Sequence, residues 1–215
     1  MKAQFRNRIE AGELLADKLA KYADHQQVLV LALPRGGVPV ALAVARRLHA
    51  PLDLMIVRKL GVPGQEELAM GAIASGGVRI LNQEVVQMLS ISPQALEAVV
   101  DREERELARR DLAYRQGRPF PSIRGQTVIL VDDGIATGST VRAGMEGLRR
   151  QHAARIILAT PVIAASTFEE LRREADEVVA VLIPESFYGV GQWYEDFSPT
   201  TDQDVQHLMA SATPA

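Results

Sequence analysis

Apolar runs of strand length alternate along this chain with longer segments of helical character. Such alternation is typical of a parallel β-sheet covered by helices. The predicted strands are Val28–Leu33, Leu52–Val57, Val128–Val131, Arg155–Thr160 and Glu177–Ile183. The predicted helices are Arg6–Tyr22, Val38–Leu48, Pro93–Arg115, Ser139–Gln151 and Ser166–Glu174. We therefore expect an α/β fold with a central, mostly parallel sheet flanked by helices.

Two segments add to this pattern. The runs "MGAIAS" and "VRIL" flank Gly76-Gly77 and predict a hairpin inserted between the second strand and the long helix. The long helix carries opposite charges four residues apart at Asp101/Arg105, Glu106/Arg110 and Asp111/Arg115. We expect these pairs to lie on a solvated face, and we assign that face no functional role.

Composition narrows the class of protein. A chain of 215 residues with 47% hydrophobic content can bury a sizeable core, so we expect one domain over residues 1–215. The formal net charge of -3 provides no general attraction to nucleic acid, and we expect no DNA partner. No cysteine is present, which fits a reducing compartment, and no apolar run reaches the roughly 18 residues of a membrane span. We expect a cytoplasmic protein without a membrane partner.

The stretch "VILVDDGIATGST" carries the strongest chemical signal. Asp132 and Asp133 follow a predicted strand, at the end of the sheet where α/β proteins bind ligands. Adjacent carboxylates repel each other, so a polyhydroxyl ligand or a cation explains them better than a turn does. The loop from Gly134 to Thr140 then enters a helix, whose free N–H groups and dipole favour an anion. Together these features predict a sugar phosphate ligand.

The same stretch resembles the signature of the type I phosphoribosyltransferases, which use 5-phosphoribosyl pyrophosphate (PRPP). The resemblance implies that Asp132 and Asp133 are catalytic residues that hold the ribose hydroxyls, directly or through Mg²⁺, for which they are the implied ligands. It implies that the 5′-phosphate is bound by the loop residues Gly134, Ala136, Thr137, Gly138, Ser139 and Thr140. A P-loop would require a Lys that this stretch lacks, so a nucleoside triphosphatase is not expected.

Two further loops extend the resemblance. In "LVLALPRGGVPVA", Arg35 supplies a forked donor while Gly36 and Gly37 allow close approach of the backbone, like the family's pyrophosphate-binding loop. The stretch "VRKLGVPG" is similar to a mobile loop of adenine phosphoribosyltransferases. This similarity implies that Arg58 or Lys59 contacts the departing pyrophosphate while the loop excludes water, and both are catalytic candidates.

The acceptor site is expected in a variable hood subdomain, which the resemblance places at residues 61–82 and 184–215. Five aromatic residues lie within eleven positions near the chain's end, where they could stack on a heteroaromatic ring or plug the core. The acceptor-pocket candidates are Phe187, Tyr188, Trp193, Tyr194 and Asp196. Ala136 stands where hypoxanthine-guanine enzymes usually have Asp, which argues against a 6-oxopurine acceptor.

The segments "FRNRIEAGELLADKL" and "FYGVGQWYEDF" resemble a bacterial group of predicted phosphoribosyltransferases, and leave the acceptor open. The implied activity is Mg²⁺-dependent transfer of the phosphoribosyl group from PRPP to a nitrogen acceptor such as a nucleobase. The implied partners are PRPP, a small-molecule acceptor and a second copy in a homodimer. One alternative is a non-catalytic regulator that senses PRPP or a nucleotide on the same fold. A second alternative is a hydrolase or phosphorylase of ribose phosphates.

Overall fold

The computed structural model describes residues 5–212. Its strands are β1 (Val28–Ala32), β2 (Leu52–Leu54), β3 (Val57–Val62), β4 (Gln65–Ala74), β5 (Val78–Leu81), β6 (Thr127–Val131), β7 (Arg155–Val162) and β8 (Glu177–Leu182). Its helices are α1 (Arg8–Lys18), α2 (Gly37–Leu48), α3 (Gln83–Met88), α4 (Pro93–Arg115), α5 (Ser139–Arg150), α6 (Ala165–Glu174) and α7 (Asp202–Ala210). Short 3-10 turns span Ala20–Tyr22 and Val190–Trp193.

The large sheet has five parallel strands in the order β2-β1-β6-β7-β8, which confirms the predicted α/β class. Strands β1 and β6 are apolar and largely buried because helices cover both faces of the sheet. Val30 and Ile129 pack with α1, α2 and α7 on one face. Leu31 and Leu130 pack with α5 and α6 on the other. In the described part of the chain, no helix combines the length and apolarity needed to cross a membrane.

Strands β3, β4 and β5 form a separate antiparallel sheet. The hairpin predicted at Gly76-Gly77 is confirmed, and both glycines have positive φ. The prediction that one strand runs from Leu52 to Val57 was wrong, because the chain leaves the large sheet after Leu54 and β3 begins at Val57. The interpretation of "VRKLGVPG" as a loop was wrong too. These residues form a ribbon with β4, and Pro63-Gly64 makes its tip.

Helix α4 joins the two sheets. Its first half packs Leu96 and Val100 against Leu60 and Met70 of the ribbon. Near its other end, Tyr114 packs against the core beneath the large sheet. The helix therefore fixes where the ribbon stands relative to the large sheet.

The solvated face predicted for α4 is partly wrong. Glu106 and Arg110 pair at 2.7 Å as predicted, and Arg109 adds a second bond that lowers the pKa of Glu106 to about 2. Arg115, however, is completely buried and bonds Asp53 of β2 at 2.7 Å. The sequence pattern of the helix alone does not reveal this partner, because Asp53 belongs to a different strand.

Two parts of the C-terminal segment pack in different places. Helix α7 contacts α2 and α4, with Val205 and Met209 in the core that covers the large sheet. The segment around Trp193 and Tyr194 forms a small apolar cluster with Phe5 instead. Residues 213–215, which the predicted hood includes, lie outside the described part of the chain.

Candidate functional site

The site begins where β1 and β6 end side by side. Ala32 lies opposite Val131 in the sheet, and the amide of Leu33 donates to the Val131 carbonyl at 2.8 Å. This pairing places the loop of residues 34–37 ("PRGG") next to residues 132–134 ("DDG"). A Cβ atom on Gly36 would overlap the Asp133 carboxylate, and one on Gly37 would lie 2.8 Å from the Val131 carbonyl. The two glycines are therefore needed for the loops to touch.

A Gly36→Ala substitution tests this contact. The added methyl group has no room beside the Asp133 carboxylate, so we expect destabilisation of about 1–3 kcal/mol and a displaced carboxylate. Thermal unfolding and calorimetric titration with PRPP and Mg²⁺ measure the two effects. Gly189→Ala is the matched control, because a Cβ there meets open space and its φ of 171° suits any residue. Unchanged unfolding and binding in Gly36→Ala would contradict the packing argument.

The segment after Asp132 and Asp133, which together form the acid pair, surrounds a cavity of about 130 Å³. The cavity is lined by Asp132, Gly134, Ile135, Ala136, Thr137, Gly138, Ser139, Thr140, Val141 and Val190. Helix α5 begins at Ser139, and no side chain of the described residues 5–212 caps its N-terminus. The first N–H groups of a helix have no intrahelical partner, and they carry the positive end of its dipole. The cavity is therefore suited to a phosphate group.

The loop is held from behind through its carbonyl groups. The Thr167 hydroxyl donates to the Ala136 carbonyl at 2.5 Å, and the Arg142 guanidinium donates to the Thr137 carbonyl at 2.9 Å. Arg142 is itself fixed by Glu170 and Glu174. The Ile135 amide donates to the Val162 carbonyl at 2.9 Å, whereas the bonds from Thr167 and Arg142 use carbonyl groups and occupy none of the loop amides that face a ligand in the cavity.

The two carboxylates of the acid pair have different surroundings. The Asp132 carboxylate accepts a bond from the Asp133 amide at 2.9 Å. Burial, and then the neighbouring charge of Asp133, raise the pKa of Asp132 well above its usual range. The Asp133 carboxylate accepts a bond from the Arg8 side chain at 2.7 Å. The Tyr194 hydroxyl donates to the Asp133 carbonyl at 2.6 Å, and burial raises the pKa of that tyrosine.

Asp132 and Asp133 provide only part of the ligand set that Mg²⁺ needs. Within residues 5–212, no cluster of three or more acidic, histidine or cysteine side chains forms a complete metal site. Mg²⁺ often binds through one or two carboxylates and completes its coordination with water and substrate phosphates. Asp132 and Asp133 provide such a partial set of oxygen donors. The residues are therefore compatible with Mg²⁺ that arrives with a phosphorylated substrate.

Arg35, in the loop after β1, is half exposed and lies 3.6 Å from the Asp202 carboxylate at the start of α7. Asp202 also accepts a bond from the Tyr114 hydroxyl at 2.7 Å, and this bond lowers the pKa of Asp202. Burial, and then the bond to Asp202, raise the pKa of Tyr114 to about 12. A guanidinium held this loosely at the edge of the site can turn to an incoming anion.

The ribbon separates Arg58 from Lys59. Arg58 donates to Glu103 of α4 at 2.9 and 2.5 Å, on the side away from α5. Lys59 contacts Glu67 at 3.2 Å and lines a cavity of about 110 Å³ with Ser139 and Thr140. Neighbouring side chains of a strand point to opposite faces, which accounts for the separation. Of the two candidates, the structure brings Lys59 next to the start of α5, where Ser139 and Thr140 line the same cavity.

The aromatic candidates divide between core and surface. Trp193 and Tyr194 are buried, and Phe187 lies 6.5 Å from the Trp193 ring. Tyr188 is 87% exposed, and Asp196 is exposed and bonds to Ser198. Trp193 and Tyr194 therefore fit the alternative in which the aromatic residues fill the core. Tyr194 also reaches the acid pair through its hydroxyl.

Sequence reasoning missed Arg8. This residue opens α1, and its side chain reaches the acid pair from 125 positions away in the sequence. The resemblance of "FRNRIEAGELLADKL" to a bacterial group assigns Arg8 no role, and no chemical motif around Arg8 signals the contact. Only the three-dimensional packing of α1 against the C-terminal segment makes it visible.

Comparisons with known proteins identify relatives of this chain. A protein of Mycobacterium tuberculosis named "Putative phosphoribosyl transferase" is 44% identical over 208 residues, which are 97% of this chain and 47% of the relative. The chain thus spans about half the length of the curated relatives it matches. A solved structure, TT1426 from Thermus thermophilus, has a TM-score of 0.85 and 39% sequence identity over the full length of both chains.

The family comparison covers nearly the whole site. Residues 4–195 match the model of the phosphoribosyl transferase domain. The matched range contains the loop with Gly36 and Gly37, the ribbon, the acid pair and the cavity at α5. The chain belongs to the type I phosphoribosyltransferase family.

Proposed function

We propose that this protein transfers the 5-phosphoribosyl group of PRPP to a nitrogen acceptor and releases pyrophosphate. The observation that carries the proposal is the shared cavity, which is lined both by Asp132 and by the first residues of α5, a helix start that no side chain among residues 5–212 caps. A carboxylate accepts hydrogen bonds from ribose hydroxyls, and free amides at a helix start bind phosphate. One small site thus offers both halves of a ribose 5-phosphate group their partners.

In the proposed reaction, the bond from the anomeric carbon to the pyrophosphate oxygen breaks, and a bond from that carbon to the acceptor nitrogen forms. Pyrophosphate leaves with the bonding electrons, and the acceptor nitrogen loses its proton to water. The loop Gly134–Thr140 anchors the 5′-phosphate, so binding energy remote from the reacting carbon holds it in place. Asp132 and Asp133 orient the ribose ring through its hydroxyl groups.

Three parts of the structure are proposed to handle the leaving group. Arg35, Gly36 and Gly37 receive pyrophosphate at the end of β1, and Lys59 approaches it from the ribbon. Mg²⁺ bound to Asp132 and Asp133, directly or through water, would offset the negative charge that gathers on pyrophosphate. The ribbon stands over the phosphate loop, where it can limit access of water to the reacting centre.

We propose that the acceptor is a nucleobase or a similar heteroaromatic ring, bound by a hood formed from residues 61–82 and 184–215. The candidate contacts are Phe187, Tyr188, Trp193, Tyr194 and Asp196. The exposed side chain of Ala136 offers no carboxylate to a 6-oxopurine. The resemblance to the family favours a homodimer as the working assembly.

The test has two stages. Calorimetric titration of PRPP with Mg²⁺ into the protein is expected to give saturable binding at one site per chain. A screen of nucleobases and other nitrogen acceptors for pyrophosphate release then follows. Binding without release for every acceptor would favour the PRPP-sensing regulator, and release in the absence of any acceptor would favour the hydrolase. Absence of binding would refute the proposal.

The ribbon yields a prediction that separates two neighbouring residues. Lys59→Ala is expected to weaken pyrophosphate binding about tenfold with unchanged unfolding, because Lys59 lines a cavity together with Ser139 and Thr140. Arg58→Ala is expected to leave pyrophosphate binding within about twofold and to cost about 1–3 kcal/mol of stability, because the buried Glu103 loses a partner. Calorimetry and urea unfolding measure both variants, and exchanged phenotypes would reject the assignment.

A further inference from the structure

The Arg8 side chain is built into the candidate site. Its Nε donates to Oδ2 of Asp133 at 2.7 Å, and its Nη1 donates to the Ser198 carbonyl at 2.8 Å. Its guanidinium carbon lies 3.9 Å from the centre of the Phe197 ring, a distance suited to a cation–π contact. Only 11% of the side chain is exposed. Arg8 is therefore held by a carboxylate, a carbonyl and an aromatic face at once.

The backbone around Arg8 is equally well fixed. The Asn7 side chain accepts bonds from the amides of Ile9 and Glu10, so it caps α1 and determines where the helix begins. Just before this cap, the Phe5 amide donates to the Trp193 carbonyl at 3.0 Å, and the Glu195 amide donates to the Phe5 carbonyl at 2.8 Å. The first described residues are thus joined to the C-terminal segment, and the joint directs Arg8 to the acid pair.

The contact with Arg8 determines how Asp133 presents its carboxylate. Arg8 occupies Oδ2, and the backbone of Gly36 packs against the same carboxylate. Among residues 5–212, no group donates a hydrogen bond to Oδ1 of Asp133. In the described part of the chain, Oδ2 is therefore bound by a protein donor, and Oδ1 keeps its hydrogen-bonding capacity.

We propose that Arg8 is a positioning residue for the ribose ring, an inference that rests on the proposed function. Arg8 orients Asp133 so that its free oxygen accepts a ribose hydroxyl, and its positive charge offsets the repulsion between the two adjacent carboxylates. It acts through Asp133 and not on the 5′-phosphate, which binds at the start of α5. Loss of Arg8 should therefore weaken recognition of the sugar and spare recognition of phosphate.

The experiment compares two ligands in four proteins. Wild type, Arg8→Gln, Arg8→Lys and Arg47→Gln are titrated by calorimetry with ribose 5-phosphate and with inorganic phosphate, at fixed Mg²⁺. Arg47→Gln is the matched control, since Arg47 is an exposed arginine paired only with Asp17 in the described part of the chain. A titration of the wild type with PRPP precedes the series.

Arg8→Gln is expected to weaken ribose 5-phosphate binding about tenfold and to change phosphate binding by no more than about twofold. Arg8→Lys is expected to recover part of the loss, because an ammonium still pairs with Asp133. Equal weakening of both ligands would reveal a merely structural role and overturn the inference, as would unchanged ribose 5-phosphate binding. If wild type binds PRPP and only the Arg8 result fails, the proposed function stands. If wild type binds neither PRPP nor ribose 5-phosphate, the proposed function and the proposed role of Arg8 are both overturned.

Discussion

Replacing Asp132 and Asp133 together with Asn is expected to weaken PRPP binding at least about 100-fold. Asn keeps the shape of Asp but removes the charge that strengthens bonds to hydroxyl groups and attracts Mg²⁺. Each charge-assisted bond contributes about 1.5–3 kcal/mol, so the loss of two accounts for a change of this size. Calorimetric titration with PRPP and Mg²⁺ measures it.

The single variant Asp132→Asn is expected to keep or gain stability, and it leaves the Asp133 carboxylate in place for Arg8. Two adjacent carboxylates repel each other, and the raised pKa of Asp132 shows that the folded protein holds this group less readily in its charged form. For an acid with a raised folded pKa, stability declines as pH rises through the interval between the unfolded and folded pKa values. Thermal unfolding measured across this pH interval should show that the stability of Asp132→Asn does not decline in this way.

The control for this prediction lies outside the site. Asp17→Asn removes an exposed carboxylate from α1 that pairs weakly with Arg47, so PRPP binding should stay within about twofold of wild type. A double Asn variant that binds PRPP as tightly as wild type would show that the acid pair does not hold the sugar. A variant that loses binding because it unfolds would be recognised by its lowered unfolding midpoint.

Contiguous features could be predicted from the sequence. The acid pair, the small loop and the start of α5 occupy one short stretch, and their chemistry follows from order alone: strand, carboxylates, free helix amides. The large sheet could be predicted for the same reason, since each apolar run and each helix carries its own local signal. Strand ends of the large sheet were misplaced by at most two residues, except that β2 stops three residues early, at Leu54.

Contacts between distant segments could not be predicted in this way. Arg8 reaches Asp133 across 125 positions, and Arg115 reaches Asp53 across 62. A charged side chain in a polar helix looks solvated until the fold places a buried carboxylate opposite it. The ribbon was misread for a related reason. The Gly and Pro residues of "VRKLGVPG" suggested a loop, whereas pairing with β4 makes this stretch a strand and confines the Pro63-Gly64 turn to its tip.

Arg115 joins the end of α4 to the strand that leads into the ribbon. It is completely buried, bonds Asp53 at 2.7 Å and also contacts the Leu54 carbonyl and Asp111. Burial lowers the pKa of its guanidinium, and Asp53 opposes that effect. The stretch after Leu54 runs directly into β3, which carries Lys59. Stability of this joint is therefore linked to the placement of Lys59 at the site.

Arg115→Met is expected to destabilise the protein by about 3–5 kcal/mol, because Asp53 is left buried without its charged partner. Urea unfolding measures the loss, and Arg105→Met, at an exposed position of the same helix, should shift stability by less than about 0.5 kcal/mol. Adding Asp53→Leu to Arg115→Met should recover part of the loss, since an apolar pair needs no charge compensation. A single variant as stable as wild type would mean that the Asp53 carboxylate finds another partner, and that Arg115 does not hold the joint.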